Sequence, residues 1–537
     1  MSNMMTYQKN NWLSQPVIYI LLFIFILSYF IWLNSSPVFP DPDSFYHAKI
    51  TEIINQTGII TDFNWLPYTT LDQIYIDHHL LYHILLTPII KILNPLIALK
   101  ISTTILASLA IVLFYWLLRQ LKIKYAFIFT LILLLSHQFI FRLNLAKIPA
   151  ISLIFILLFI YLLFLKKKTW SWPLFIICFL YVWLYGGWPI MLGIGIIYWL
   201  CLGLYHTLKS IPVSQNQKPL LIFIKQFFKK TNFKLLANII SGFISGLIIN
   251  PYFPTNLKFY WQQTIQIGLY NYKNIIEVGG EWYSFNPVSL IAKESIIFII
   301  LVVSIAIFII KLSRQNPKTW SLFITTIIFL FLTIKSKRNI EYFVPLSLLF
   351  SGLSITTALK YNNTKNILQP VKKILKQHKL ISLIVLILLL IQIPIILHYN
   401  LNQMRTGLRT GYRLNQFESI SAWATDNIPA GEIVFHDNWS DWPSLFYYNN
   451  KNKYIIGLDP TFMYLKSENK YWLWHEISNG NIKQNICQKI NSEFNTNYIF
   501  VKQENKTLNQ IIESNPGCDN IYSNQDGSIY IINQNQI

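Results

Sequence analysis

The sequence predicts a polytopic α-helical membrane protein of about 11 spans, followed by a small α/β domain outside the cytosol. Three observations carry this. Hydrophobic residues make up 53% of the chain and charged residues 12%, when an ordinary soluble domain has about 25% charged residues; mean hydropathy is +0.40. Apolar runs of membrane length recur between residues 17 and 398, separated by short clusters of Lys and Arg. From Tyr399 onward the runs shorten and Asn, Asp, Glu and Ser become frequent.

Taken in order, spans are expected near 17–33, 98–118, 124–140, 149–165, 172–185, 188–206, 235–250, 291–310, 319–334, 340–359 and 380–398. The first has the length of a span and no A-x-A-like cleavage site, so it reads as uncleaved. Clusters such as Lys166-Lys167-Lys168 and the Lys-rich loop 207–234 fix the orientation by the positive-inside rule, with the N-terminus cytosolic. The net charge of +21 follows the same pattern. With no nucleic-acid motif beside it, it points to the lipid bilayer as partner and not to DNA or RNA. His79–Leu93 is apolar enough to span, but counting it would invert the next basic loops. It is therefore expected to be interfacial or re-entrant. With that assignment every acid of the chain falls on the outer face or at the outer end of a span.

The first outer loop, 34–97, opens with Pro40-Asp41-Pro42-Asp43-Ser44-Phe45-Tyr46-His47. Two carboxylates at a membrane surface, in a chain with only 23 acids, suggest metal binding or proton transfer. The alternative is a Pro-rich turn whose Asp residues cap a helix from Phe45 to Asn55. His79 and His83 are four apart, a metal-compatible spacing, but no His-Glu-x-x-His accompanies them. Asp77, His78 and His79 are expected to line a cleft. Lys335, Lys337 and Arg338 break the charge rule by lying outside. An anionic group such as a carrier phosphate explains them; the other reading is a loop of opposite parity. Cys178 and Cys201 lie in apolar runs and read as packing residues; Cys487 and Cys518 can pair if the tail is extracytoplasmic. The tail, 399–537, shows strand patterns at Glu432–His436, Tyr454–Leu458, Tyr498–Lys502 and Ser528–Ile532, and helical ones near Gln416–Asn427 and Lys470–Glu476. The expected division is a transmembrane domain 1–398 and an extracytoplasmic domain 399–537.

Several stretches, in this order, resemble the GT-C superfamily of membrane glycosyltransferases, and within it the catalytic subunit of the oligosaccharyltransferases. Asp43-Ser44-Phe45-Tyr46-His47 resembles the first-loop D-x-Y-Y-H motif, and Tyr185-Gly186-Gly187-Trp188 the W-G-G-Y turn. Glu277–Trp282 stands where the family has a loop Glu, and Arg338 where it has an Arg for the lipid-linked diphosphate. Ala422-Trp423-Ala424 through Ile428-Pro429-Ala430-Gly431 resembles the start of the family's soluble domain. Trp439-Ser440-Asp441-Trp442-Pro443 matches W-W-D-Y-G, keeping the first Trp and the Asp.

The resemblance implies transfer of a sugar from a polyprenyl-phosphate or -diphosphate carrier to a glycan or protein acceptor. Asp43 and Glu281 would be catalytic. Arg338, Lys337, Lys335, Arg142 and Lys147 would bind the carrier phosphate, and Trp439, Asp441 and Trp442 the acceptor. It leaves two routes open: Mg2+ or Mn2+ on Asp43, Glu281 and Glu277, or transfer without a metal. The family's second acidic motif is replaced here by Phe141-Arg142-Leu143-Asn144-Leu145-Ala146-Lys147, which has no carboxylate. That departure, and the altered W-W-D-Y-G, stand against the alternative of a true oligosaccharyltransferase acting on Asn. A non-catalytic scaffold or a transporter is the remaining reading; the inverted repeats of a transporter are not evident.

Overall fold

The computed structural model describes residues 14–165, 171–210, 219–361, 394–395 and 397–533. They divide into two compact units, each assembled from three stretches of chain. One comprises Met1–Ser36, Thr103–Gly246 and Ser284–Arg409; the other Pro37–Ser102, Leu247–Tyr283 and Thr410–Ile537.

The first unit is helical. Among the described residues of the whole chain, five helices are long and apolar enough to cross a membrane, or up to eight if each bent pair is one span. The predicted spans 149–165 and 172–185 fold as the shorter helices Pro149–Leu165 and Trp172–Leu184, of 17 and 13 residues. Most of 380–398 lies outside the described residues. The stretch 124–140 is not one straight span: Ala126–Leu135 and His137–Leu143 meet at 82°. Ser136 makes the break. Its backbone leaves the helical region, and its hydroxyl accepts the N–H of Phe139, so it ends one helix and caps the next. On the helix Ser14–Leu33, the side chains of Val17, Ile20, Leu21, Ile24 and Phe25 are more than half exposed, a face suited to lipid and not to water. Several hydroxyls inside the apolar helices are satisfied without leaving them. Thr130 donates to Ala126 O at 3.0 Å, Ser304 to Ile300 O at 2.7 Å and Thr333 to Phe329 O at 2.7 Å, each one turn back along its own helix.

The second unit holds all strands among the described residues. β1 (Val38–Phe39) pairs antiparallel with β2 (Tyr412–Arg413). β3 (Ile433–His436), β4 (Lys453–Tyr454), β5 (Tyr498–Lys502), β6 (Cys518–Ser523) and β7 (Gly527–Ile532) form a mixed sheet in the order β4-β3-β5-β7-β6. β3 runs parallel to β4 and β5, while β7 is antiparallel to β5 and β6. Val434, Phe435, Ile499, Phe500 and Val501 fill its core. The helices Glu418–Asn427 and Glu468–Ser478 stand where the helical patterns put them. The expected strand Tyr454–Leu458 is corrected: pairing stops at Tyr454. Leu458 takes a φ of 62° and Asp459 Oδ1 accepts the N–H of Thr461 at 2.9 Å, so the chain turns into the helix Thr461–Lys466.

Cys487 and Cys518 are bridged, tying the helix Ile486–Phe494 to β6. The bridge closes a loop of 31 residues, for which chain entropy alone predicts a stabilisation of about 3–4 kcal/mol. Cys487→Ala paired with Cys518→Ala is expected to lower the melting temperature. Adding a reductant should lower the wild type to the same value and leave the double variant unmoved.

Candidate active site

In the second unit, β1 leads straight into the motif Pro40–His47. The β1–β2 pairing requires Gly411: its φ is +138°, and a Cβ there would stand 2.3 Å from the carbonyl oxygen of Phe39. Asp41 and Asp43 then take different parts. Asp41 Oδ1 accepts the N–H of Asp43 at 3.0 Å, which makes the turn. Asp43 opens the helix Asp43–Thr57, where the helix dipole favours its charge. The helix is longer at both ends than the expected 45–55. Both carboxylates are half-buried.

A buried chain of polar groups fixes this helix. His47 Nδ1 lies 2.8 Å from His83 Nε2, and His83 Nδ1 lies 2.7 Å from Asp77 Oδ2. Asp77 as a carboxylate can only accept. A neutral His83 therefore carries its proton on Nδ1, and its Nε2 accepts from His47 Nδ1–H. Beside it, the hydroxyls of Tyr46 and Tyr75 bond at 3.0 Å. Sequence reading weighed His79 with His83 for their spacing of four. The pair that forms is His47 with His83, 36 residues apart, which no local spacing could reveal.

The segment Trp439–Asp441 is a single tight turn. Asn438 Oδ1 accepts from the N–H and the hydroxyl of Ser440, both at 2.9 Å. Asp441 is almost wholly buried with Lys502 Nζ 3.5 Å from its Oδ1. Burial outweighs the lysine and pushes its carboxyl up to about 7. Tyr412 of β2 donates to Ser440 Oγ at 3.2 Å. Burial is the main force raising its phenol, which also senses Asp441, Lys502 and Asp41. Asp41 and the Trp439–Asp441 turn thus both lie close to Tyr412.

The loop 277–282 comes to the same turn. A Cβ built on Gly279 would lie 3.9 Å from Trp439 Cη2 and 4.0 Å from Glu281 Cγ. Asn271 Nδ2 holds the loop by donating to Trp282 O at 2.9 Å. Glu281 is half-buried; Glu277 is exposed and lies near Tyr471. Trp442 corrects an expectation. It is 0% exposed, its ring stacks on Phe446 with centroids 4.8 Å apart, and it lies against Gly457. It supports the turn from inside and offers no face to an acceptor. This contact also accounts for Gly457, where a Cβ would stand 2.5 Å from the Trp442 ring.

The candidate phosphate-binding cations belong to the first unit. Lys335 ends the helix Pro317–Lys335, and Lys337 and Arg338 lie in the short turn before Ile340–Tyr361. Asn339 Nδ2 donates to Leu332 O at 3.1 Å, closing the first of these helices. Arg338 Nη2 donates to Tyr185 Oη at 3.1 Å. Lys337 Nζ sits 6.0 Å from the centre of the Phe285 ring, and Lys335 is exposed. The Tyr185-Gly186-Gly187 turn holds Arg338 because Gly187 has no side chain: a Cβ there would lie 2.2 Å from Tyr185 Cε1. Arg142 is buried, and its Nε and Nη2 reach Glu341 Oε2 at 3.0 and 2.9 Å, so much of its charge is already matched. Lys147 is half-buried.

Among the described residues, no three or more His, Cys, Asp or Glu side chains are grouped so as to hold a metal ion. Asp43, Glu281 and Glu277 therefore do not form such a donor set.

No family model and no curated protein matches the chain. Solved structures do. It is similar to the oligosaccharyltransferase AglB of Archaeoglobus fulgidus in complex with an inhibitory peptide and a dolichol-phosphate, at 13% identity and a TM-score of 0.60, over 98% of this chain and 75% of that one. The apo form of the Archaeoglobus fulgidus oligosaccharyltransferase gives 13% and 0.59 over the same shares. The mycobacterial arabinofuranosyltransferase AftD gives 12% and 0.51, over 97% of this chain and 40% of that one. The chain has the fold of the GT-C glycosyltransferases.

Two outcomes follow for the isolated protein. Gly187→Ala must displace the Tyr185 ring, at a cost of about 1–3 kcal/mol for overpacking, seen as a lower melting temperature. Asp441 binds its proton more tightly folded than unfolded, so between its ordinary value of 3.8 and about 7 stability falls as pH rises, and it is level outside that window. Asp441→Asn is expected to flatten this stretch of a melting-temperature profile against pH.

Proposed function

We propose that this protein is a glycosyltransferase that moves a sugar or oligosaccharide from a polyprenyl-phosphate or -diphosphate carrier to an acceptor on the extracytoplasmic side of the membrane. The observation that supports the reading is that Asp41 and the Trp439–Asp441 turn lie close to Tyr412, with Gly279 of the Glu281 loop against Trp439, in one compact unit. The GT-C fold supports it. The bridged cysteines support an extracytoplasmic position for domain 399–537, because disulfides persist in oxidising compartments. The transmembrane domain 1–398 then has its N-terminus in the cytosol.

In this reading an acceptor hydroxyl attacks the anomeric carbon from the face opposite the phosphate. The new bond to the acceptor oxygen forms, the bond from anomeric carbon to phosphate oxygen breaks, and the acceptor proton passes to a carboxylate. Asp43 is that carboxylate, held at a helix start, and Glu281 assists it. Arg338, with Lys335, Lys337 and Lys147, offsets the charge growing on the leaving phosphate. Arg142, matched by Glu341, contributes less directly, by holding its own segment in place. Trp439 and Asp441 form the acceptor side, with Trp442 behind them.

The second reading, glycosylation of Asn, is supported by the likeness in fold to AglB, at a TM-score of 0.60 against 0.51 for AftD. Against it, Ser440, Trp442 and Pro443 depart from W-W-D-Y-G.

The test is transfer by purified protein in lipid from a panel of polyprenyl-linked sugars, to saccharides or to an Asn-containing peptide, with and without EDTA. Asp43→Ala is expected to lower kcat by about 10²–10⁴ while the melting temperature holds. The EDTA arm reads whether Mg2+ or Mn2+ takes part. Transfer by Asp43→Ala at the wild-type rate would remove Asp43 from the mechanism. A wild type that transfers from no donor would leave the scaffold reading.

A further inference from the structure

A cleft of about 430 Å³ opens in the second unit, apart from the residues assigned above. This is the size of an ordinary small-molecule site, ~300–1,000 Å³. One wall is the stretch from Thr61 to Asn64 and the short helix Leu71–Ile74; the other runs from Pro251 to Thr255. The walls are joined beside the cleft, where Gln262 Nε2 donates to Thr70 Oγ1 at 3.0 Å.

The lining has two characters. Its floor is aromatic and buried: the Phe63 and Tyr75 rings stack 4.1 Å apart at 11°, next to Tyr252. Its rim is polar. The side chains of Thr61, Asp62, Asn64, Gln73 and Thr255 make no hydrogen bond to the described residues, so they are available to a ligand. Phe253 adds a ring that is 45% exposed.

Charge narrows the ligand. No Lys or Arg lines the cleft, so a phosphate has nothing to pair with. Asp72 is matched by Lys466 Nζ at 3.0 Å, which leaves Asp62 as the carboxylate without an ion pair. Hydroxyls and amides that both donate and accept suit a ligand whose own groups do both. The electron-rich face of an exposed ring suits a surface of C–H bonds. A neutral saccharide has both features. The cationic side chain of a basic peptide would use the acceptors alone and leave the donors of Asn64 and Gln73 to its backbone carbonyls.

We propose that this cleft binds a sugar unit of the acceptor, so that the acceptor is a glycan. This rests on the transferase reading above. Position agrees: Tyr75, in the floor, is hydrogen-bonded to Tyr46, which lies three residues beyond Asp43 on the same helix. A glycan seated here is held beside the helix that carries the proposed carboxylate.

The test uses the full chain in nanodiscs. Methyl glycosides of glucose, galactose, mannose and N-acetylglucosamine, and a lysine-rich peptide, are titrated in turn and followed by saturation-transfer NMR. At least one glycoside is expected to bind in the millimolar range, and Phe253→Ala to weaken it roughly fivefold. Asp62→Asn keeps a hydrogen-bonding oxygen and is expected to retain the glycoside within about twofold. Asp62→Ala with Gln73→Ala is expected to lose it. Four results overturn the proposal: no glycoside binds, binding is indifferent to Phe253→Ala, the double variant keeps it, or the peptide binds and Asp62→Asn abolishes that binding. The transfer assay is separate. Saccharide binding without transfer sinks the transferase reading and leaves a glycan-binding cleft. Transfer without saccharide binding in the cleft sinks only this inference.

Discussion

The pairing of Val38 and Phe39 with Tyr412 and Arg413 is the constraint on which the candidate site depends. Two strands of two residues, separated by most of the chain, fix where the first outer loop begins. Only a glycine at 411 lets the backbones approach this closely. Once the pairing is made, Asp41 can form its turn, Asp43 can start its helix, and Tyr412 can stand between Asp41 and the Trp439–Asp441 turn. Such a short ladder contributes little by itself; Lys100 Nζ, bonded to Val38 O at 2.7 Å, and Leu414 N–H, bonded to Pro37 O at 3.1 Å, reinforce it.

Many helix hydroxyls in both units turn back on their own helices, as Thr333 and Thr51 do. In the helical unit the buried ion pair Arg142–Glu341 matches one charge with another. In the strand-bearing unit, the chain His47–His83–Asp77 links two helices through side chains and leaves no member without a bond. Asp441 is the exception. Its carboxylate sits at ion-pair distance from Lys502 in a place that burial makes costly for charge. Groups held in that condition occur at functional sites more often than elsewhere.

Much of the architecture was legible because bilayer and water impose coarse rules on composition. Apolar length marked the long apolar helices, and alternation marked β3, β5 and β7. The rules gave no warning at Ser136, where a polar side chain rewards a break in an otherwise apolar run. Nor did they mark Tyr454–Leu458, where pairing stops at Tyr454 and a left-handed residue at 458 turns the chain into a helix. Trp442 shows the limit for site residues: a Trp in a motif-like segment reads as a binding surface until packing turns it inward.

The sequence alone determined the residue types available for chemistry: the paired acids of the first loop, the cations at 335–338, and the turn 439–443. It did so because such groups are rare in an apolar chain and conspicuous where they occur. Only the tertiary structure decided their partners. His83 reaches His47, Arg142 reaches Glu341, Arg338 reaches Tyr185, and Cys487 reaches Cys518. Each is a contact across many residues, set by how helices and strands pack and not by local spacing, and local spacing is all that a one-dimensional pattern can report.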